Sequence, residues 1–175
     1  PASLNFKVTG EKVCVKGYLH AELKVGGGSL HMVTTHLDSK KKPEGVQDFQ
    51  AQQIREEVLV HLPPGDAVLV AGDFNICSRR SKDDGSAYRQ LCAAMSPLTD
   101  VFGPTDSIEP VATRRPIQKP FSSAHSKTKS KKGDGAIDHA FVRGLQMISS
   151  EVVDLRCADK TVVSDHLGLE LIFSL

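Results

Sequence analysis

The chain has 175 residues, 39% hydrophobic and 25% charged, and its 22 Lys and Arg balance 21 Asp and Glu to a formal net charge of +1. That is enough sequence for one domain with a sizeable core, at an ordinary globular composition. It excludes a wholly polybasic nucleic-acid module, and no apolar run approaches the ~20 residues that span a bilayer.

Residues 13–25 read as a strand and Gly26-Gly27-Gly28-Ser29 as a turn free to take positive φ. A second strand over 30–35 completes a hairpin. After a polar loop (Lys40-Lys41-Lys42-Pro43), Ala51, Ile54, Val58 and Leu62 recur at spacings of three and four, the apolar stripe of a helix. Pro63-Pro64-Gly65 ends it, because proline lacks the N–H and glycine reverses the chain. Ala67-Val68-Leu69-Val70-Ala71 is a continuous apolar run, expected to form a strand buried on both faces. A second helix starts near Ser86 with Tyr88, Leu91, Cys92 and Met95 inward, and Pro97 halts it. Residues 103–135 read as a long irregular loop whose lysine run, Lys127 to Lys132, is expected to be solvated. Three strands close the chain, over 136–142, 147–155 and 167–173, with Leu167, Leu169, Leu171 and Phe173 alternating in the last. The pattern is α/β or α+β within a single domain spanning residues 1–175.

Cys14, Cys77, Cys92 and Cys157 form no Cys-x-x-Cys pair, so reduced, mostly buried intracellular thiols are expected rather than a zinc cluster or a disulfide framework. No basic-then-apolar leader is present, and the first residue is Pro1, as expected of a chain processed or cut from a longer one. Four polar groups sit at strand ends, where rigid scaffolds present chemistry. They are His36 in Thr34-Thr35-His36-Leu37-Asp38, the turn Gly72-Asp73-Phe74-Asn75, Asp138 in an otherwise apolar strand, and Ser164-Asp165-His166 before the last strand. Asp73 and Asn75, two residues apart on leaving a buried strand, can present an acceptor and a donor to one site. Asp138 must be paired or exposed, because burying a lone charge costs several kcal/mol. Each motif alone reads as a turn or a structural residue; together, in this order, they define a site.

Thr35-His36-Leu37, Gly72-Asp73-Phe74-Asn75, Ile137-Asp138 and Ser164-Asp165-His166 resemble the ordered signatures of the endonuclease/exonuclease/phosphatase superfamily, metal-dependent phosphodiesterases and phosphatases. Lys16-Gly17-Tyr18-Leu19, Gln50 to Ile54 and Tyr88-Arg89-Gln90-Leu91 are similar to its neutral sphingomyelinase branch. The resemblance implies the C-terminal portion of a four-layer α/β sandwich, two packed mixed sheets flanked by helices. It also implies Mg²⁺-dependent hydrolysis of a phosphodiester, phospholipid or nucleic acid. In that reading Asp165 is a metal ligand and His166 the general base, oriented by Asp138. Asp73 positions the attacking water, while Asn75 and His36 bind phosphoryl oxygens; whether Asp73 or His166 takes the proton stays open.

The superfamily places a further glutamate and asparagine upstream of the Thr-His motif. This chain has 35 residues before His36, and its Asn5 and Glu11 are too close to stand in for them. The expectation is therefore a domain lacking the N-terminal part of the family fold. Such a chain is expected to need that segment in cis or from a partner, to bind Mg²⁺ weakly, to be inactive or nearly so by itself, and to expose apolar faces. Residues 143–164 contain no aromatic, which argues against bilayer insertion, so the expected location is intracellular, cytoplasmic or peripheral to a membrane. Two alternatives are a nuclease of the same superfamily and a non-catalytic phosphate- or RNA-binding module retaining the fold.

Overall fold

Two strands joined by glycines, the second alternating between buried and open residues, organise the first half of the chain. Strand β1 (Ala2–Asn5) pairs antiparallel with β2 (Gly17–Val25), and β2 turns through Gly26 and Gly27 into β3 (Gly28–His36). In β3, His31, Val33 and Thr35 are buried while Met32, Thr34 and His36 are exposed, the period of two that a half-covered sheet requires. The computed structural model describes residues 2–7, 15–39, 45–78, 86–102, 136–154, 156, 157, 159, 164 and 166–175.

Helix α1 (Val46–Glu57) crosses from β3 to its parallel neighbour β4 (Ala67–Asp73). Helix α2 (Ser86–Met95) follows, then the short strand β5 (Thr99–Asp100) and β6 (Asp138–Arg143). These strands form one mixed sheet in the order β1-β2-β3-β4-β6-β5. Strands β7 (Gln146–Val153) and β8 (Gly168–Ser174) pair in a second sheet. Val33, Val68, Val70 and Phe141 from one face of the large sheet share a core with Ala51 and Ile54 of α1 and Leu91 and Met95 of α2. Burying each such side chain contributes about 1.5–3 kcal/mol before entropy is counted.

Three expectations need correction. First, β4 is covered on one side: Ala67, Val68 and Val70 are buried, but Leu69 and Ala71 are only half-buried. An apolar run shows that both faces can be covered, not that both are. Second, α1 stops at Glu57 rather than continuing to Leu62, and a tighter 3₁₀ turn (Leu59–His61) follows. Pro63 and Pro64 supply no N–H and disfavour the helical conformation before them, so the last turn closes with shorter-range bonds. Third, none of the described cysteines is buried: Cys77 and Cys92 are half-buried and Cys157 is exposed. Ala94, rather than Cys92, is the fourth buried residue of α2. Cys14 lies outside the described residues. Among the described residues, no helix is long and apolar enough to cross a membrane.

Candidate active site

Strand register assembles the site. His36 ends β3 and Asp73 ends β4, and the two are direct partners in the parallel ladder; Asp138 opens β6 as the antiparallel partner of Asp73. Partners in register point to the same side, so the three side chains emerge from the face opposite the helices. The close approach of β3 and β4 depends on Gly72, at φ +152°: a Cβ there would stand 2.0 Å from the Thr35 carbonyl oxygen. Only glycine fits.

His166 enters from the lead-in to β8, its N–H donating to Ser164 Oγ at 3.0 Å. Its Nδ1–H donates to Asp138 Oδ2 at 2.9 Å, a carboxylate acceptor that places the ring proton on Nδ1. Nε2 then faces Asp73 Oδ2 at 3.6 Å, and His36 Nε2 lies 3.4 Å from the same oxygen. His36 is 56% exposed, whereas the side chains of Asp73, Asp138 and His166 are 15%, 19% and 24% exposed. Burial pushes the Asp73 carboxyl above its ordinary range, and neighbouring Asp138 adds to the shift; the Asn75 N–H, His36 and His166 oppose it. A cleft of about 350 Å³ opens beside His36, lined also by Asn5, Tyr18, Leu19 and Thr34.

Asn75 takes a left-handed conformation (φ +52°), which a short polar side chain tolerates. Its N–H donates to Asp73 Oδ1 at 2.8 Å and its Nδ2 to the Leu37 carbonyl at 2.9 Å, tying the β4 exit to the β3 exit. Polar residues of α1 support both exits. Gln50 and the fully buried Asp38 exchange bonds of 2.9 and 3.0 Å, and Gln47 donates to the carbonyls of Asp38 and Asn75. Asp73, Asp138 and His166 each offer a ligand atom within 4.8 Å of the others. Two hard carboxylate oxygens and an imidazole nitrogen fit a divalent metal. Asp165, the metal ligand expected from the sequence, lies outside the described residues, as does the lysine run at 127–132.

The structure adds a group that sequence reasoning passed over. Behind the site, the buried ring of His139 lies between Asp100 Oδ2, 2.7 Å from Nδ1, and the Ile76 carbonyl, 2.8 Å from Nε2. Tyr88 donates to the same Asp100 oxygen at 2.8 Å and the Phe102 N–H to the other at 3.0 Å. The signal was Asp138-His139 itself, two polar residues in an otherwise apolar strand, of which only the first faces His166.

A mixed sheet with helices on one face, a second two-stranded sheet and a His-Asp cluster at the strand ends make this an α/β fold with a candidate site. Residues 38–166 match the model of the Endonuclease/Exonuclease/phosphatase family, and the chain belongs to that family. Its members are hydrolases acting on phosphodiesters and use divalent metals. TDP2 of D. rerio, crystallised with single strand DNA product, superposes with a TM-score of 0.70 at 17% identity, over 99% of this chain and 66% of that one. A family member from Leptotrichia buccalis C-1013-b gives 0.66 at 16% identity, over 99% and 61%. Beta toxin from Staphylococcus aureus gives 0.60 at 18% identity, over 90% and 57%. The likeness at these identities is one of fold, and this chain spans less than two thirds of the length of each. No curated protein matches the chain.

Proposed function

We propose that this chain carries the hydrolytic site of a Mg²⁺-dependent phosphodiesterase of the sphingomyelinase-like branch. The observation that supports it most is His166, held through Nδ1 by Asp138 so that Nε2 opens toward Asp73 and His36. In this reading Nε2 takes a proton from a water positioned by Asp73, and Asp138 stabilises the resulting imidazolium. His36, exposed at the rim, and the second N–H of the Asn75 amide donate to phosphoryl oxygens, whose charge grows in the transition state. Mg²⁺, held by Asp165 with the carboxylates of Asp73 and Asp138, would offset negative charge on the phosphate. These roles rest on the donor set and the family resemblance together.

The test is hydrolysis of bis(p-nitrophenyl) phosphate with Mg²⁺ and with EDTA, then of sphingomyelin in mixed micelles against single-stranded DNA. His36→Ala, Asp73→Ala and His166→Ala are each expected to lower the rate at least ~10²-fold, the scale of a lost catalytic group. Wild-type rates in any of the three, in a protein spanning the full length of the family fold, would remove this mechanism. A nuclease is the second reading, favoured by the fold shared with TDP2 of D. rerio and its single strand DNA product. Turnover of DNA without turnover of sphingomyelin would select it.

A further inference from the structure

Sheet hydrogen bonds alone do not fix the catalytic carboxylates. The β4–β6 ladder ends at the pair Asp73–Asp138, and past it the chain at 74–78 leaves β4 as a loop. Two backbone bonds continue the contact with the stretch before β6: Phe74 N–H to the Ile137 carbonyl at 3.0 Å, and Ser78 N–H to that of Ala136 at 3.2 Å. Between them, midway along the loop, a side chain makes a further bond across to β6, from His139 to the Ile76 carbonyl.

We infer that His139, clamped by Asp100, is a positioning residue that sets the separation of Asp73 and Asp138 across His166; this rests on the hydrolytic reading of the site. Successive residues of a strand point to opposite faces, so His139 lies behind the sheet directly after Asp138. Its Nδ1 meets the Asp100 carboxylate and its Nε2 the Ile76 carbonyl, so both ring nitrogens face acceptors. Asp100 is fixed in turn by the Tyr88 hydroxyl and the Phe102 N–H. The ring is packed by Phe74 edge-on at 5.8 Å, by Tyr88 at 5.4 Å and by Phe141 at 6.0 Å. One rigid ring thus joins the strand that carries Asp138 to the loop that carries Asn75, two residues past Asp73. Both carboxylates address His166, at 2.9 and 3.6 Å, and a shift of about 1 Å in one relative to the other can cost up to ~10²-fold in rate.

The experiment compares the full chain with His139→Gln, Asp100→Asn and Val68→Ala. Val68 is fully buried at the other end of β4 from Asp73, and its truncation destabilises without touching the staple. The first readout is the His166 Nδ1–H resonance in ¹⁵N-labelled protein, which reports the bond to Asp138 whether or not the chain turns over. The second is kcat and KM on bis(p-nitrophenyl) phosphate with Mg²⁺. In His139→Gln the resonance should shift or vanish, and kcat should fall at least ~10-fold with KM within about twofold, while Val68→Ala keeps both. Asp100→Asn keeps the size of the side chain while removing its charge and turning one acceptor oxygen into a donor, so it decides the matter if His139→Gln does not fold; the same shift is expected. An unmoved His166 signal in folded His139→Gln, or in folded Asp100→Asn where the first does not fold, would overturn the inference. Absence of turnover in a wild-type protein spanning the full length of the family fold would count against the hydrolytic reading and leave the resonance to judge the staple.

Discussion

At the site, the residues we propose to do chemistry and the residues that hold them in place differ in how they show in a sequence. His36, Asp73, Asn75, Asp138 and His166 were legible as candidates because four strand-end motifs, each ordinary by itself, occur together in the order of a known family. The structure brings His36 and His166 to one Asp73 carboxylate oxygen, Asp138 to the far side of the His166 ring, and the Asn75 N–H to the other Asp73 oxygen. Asp38, Gln50, Asp100 and His139 were not legible, because a buried polar residue is identified by its partner, and the partners lie 12 and 39 residues away. Gly72 lies between these cases: glycine in a turn motif is common, but here the reason is a backbone oxygen. Gly72→Ala would press a methyl into the Thr35 carbonyl at 2.0 Å and hold the chain at φ +152°, so something must move. Positive-φ strain and overpacking each cost about 1–3 kcal/mol, which together predicts a loss of about 2–6 kcal/mol in denaturant unfolding. The strands would part beside His36 and Asp73, so the folded fraction should also lose activity. A Gly72→Ala protein as stable as wild type would show that the β3–β4 approach is not as tight as drawn.

Element by element, periodicity identified α1, α2 and the long strands, and it failed where an element is too short to show a period. β1 has four residues and β5 two; their pairing with β2 and β6 creates them, not local propensity. The same limit applies to β6 and β7, which read as consecutive strands yet join different sheets, since alternation reports a covered face and not a neighbour. Helix α1 is joined to the β1–β2 edge at its C-terminus, through Glu57. Its carboxylate accepts from the buried Tyr18 hydroxyl at 2.7 Å and from Gln53 at 3.1 Å, and it pairs with Lys7 at 2.6 Å. The bond from Lys7, with those from Tyr18 and Gln53, holds the Glu57 carboxyl down at about 2, from an ordinary value of 4.5. A depressed carboxylate contributes stability that is present above the unfolded value and lost as pH falls through the folded one. The window is therefore from about 4.5 down to about 2. Glu57→Gln should lower unfolding stability near neutral pH by about 1–2 kcal/mol, the worth of a charged hydrogen bond discounted for partial exposure. The difference from wild type should shrink through that window. Equal stabilities at neutral pH, or a difference that persists unchanged to pH 2, would show that the pairing contributes nothing.

For the whole molecule, the decisive feature is that the helices cover one face of the large sheet and the site opens on the other. Register places Leu19 and Leu23 of β2 beside Thr34 and Leu30 of β3, and Met32 beside Leu69 of β4, all on the face that ends at His36 and Asp73. Leu19, Leu23 and Met32 are 44%, 42% and 39% exposed, and Leu30 and Leu69 half-buried. Single exposed apolar residues are ordinary, but a run of them across three adjacent strands is the kind of surface that sandwich folds pack against a second sheet. A formal net charge of +1 provides almost no repulsion between copies. The 175-residue chain should therefore self-associate, its apparent mass rising with concentration in size-exclusion chromatography with light scattering. Leu19→Lys, Leu23→Lys and Met32→Lys together should hold it at 18.9 kDa, the mass of one chain, because the substitutions add charge at exposed positions outside the core cluster. Melting temperature should change little, as exposed substitutions are usually within about 0.5 kcal/mol each. A wild-type chain that stays monomeric at every concentration would mean that this face is too small or too broken to drive association. Association that persists in the triple variant would move the contact elsewhere, to the second sheet, where Ile148 and Ile172 are also exposed.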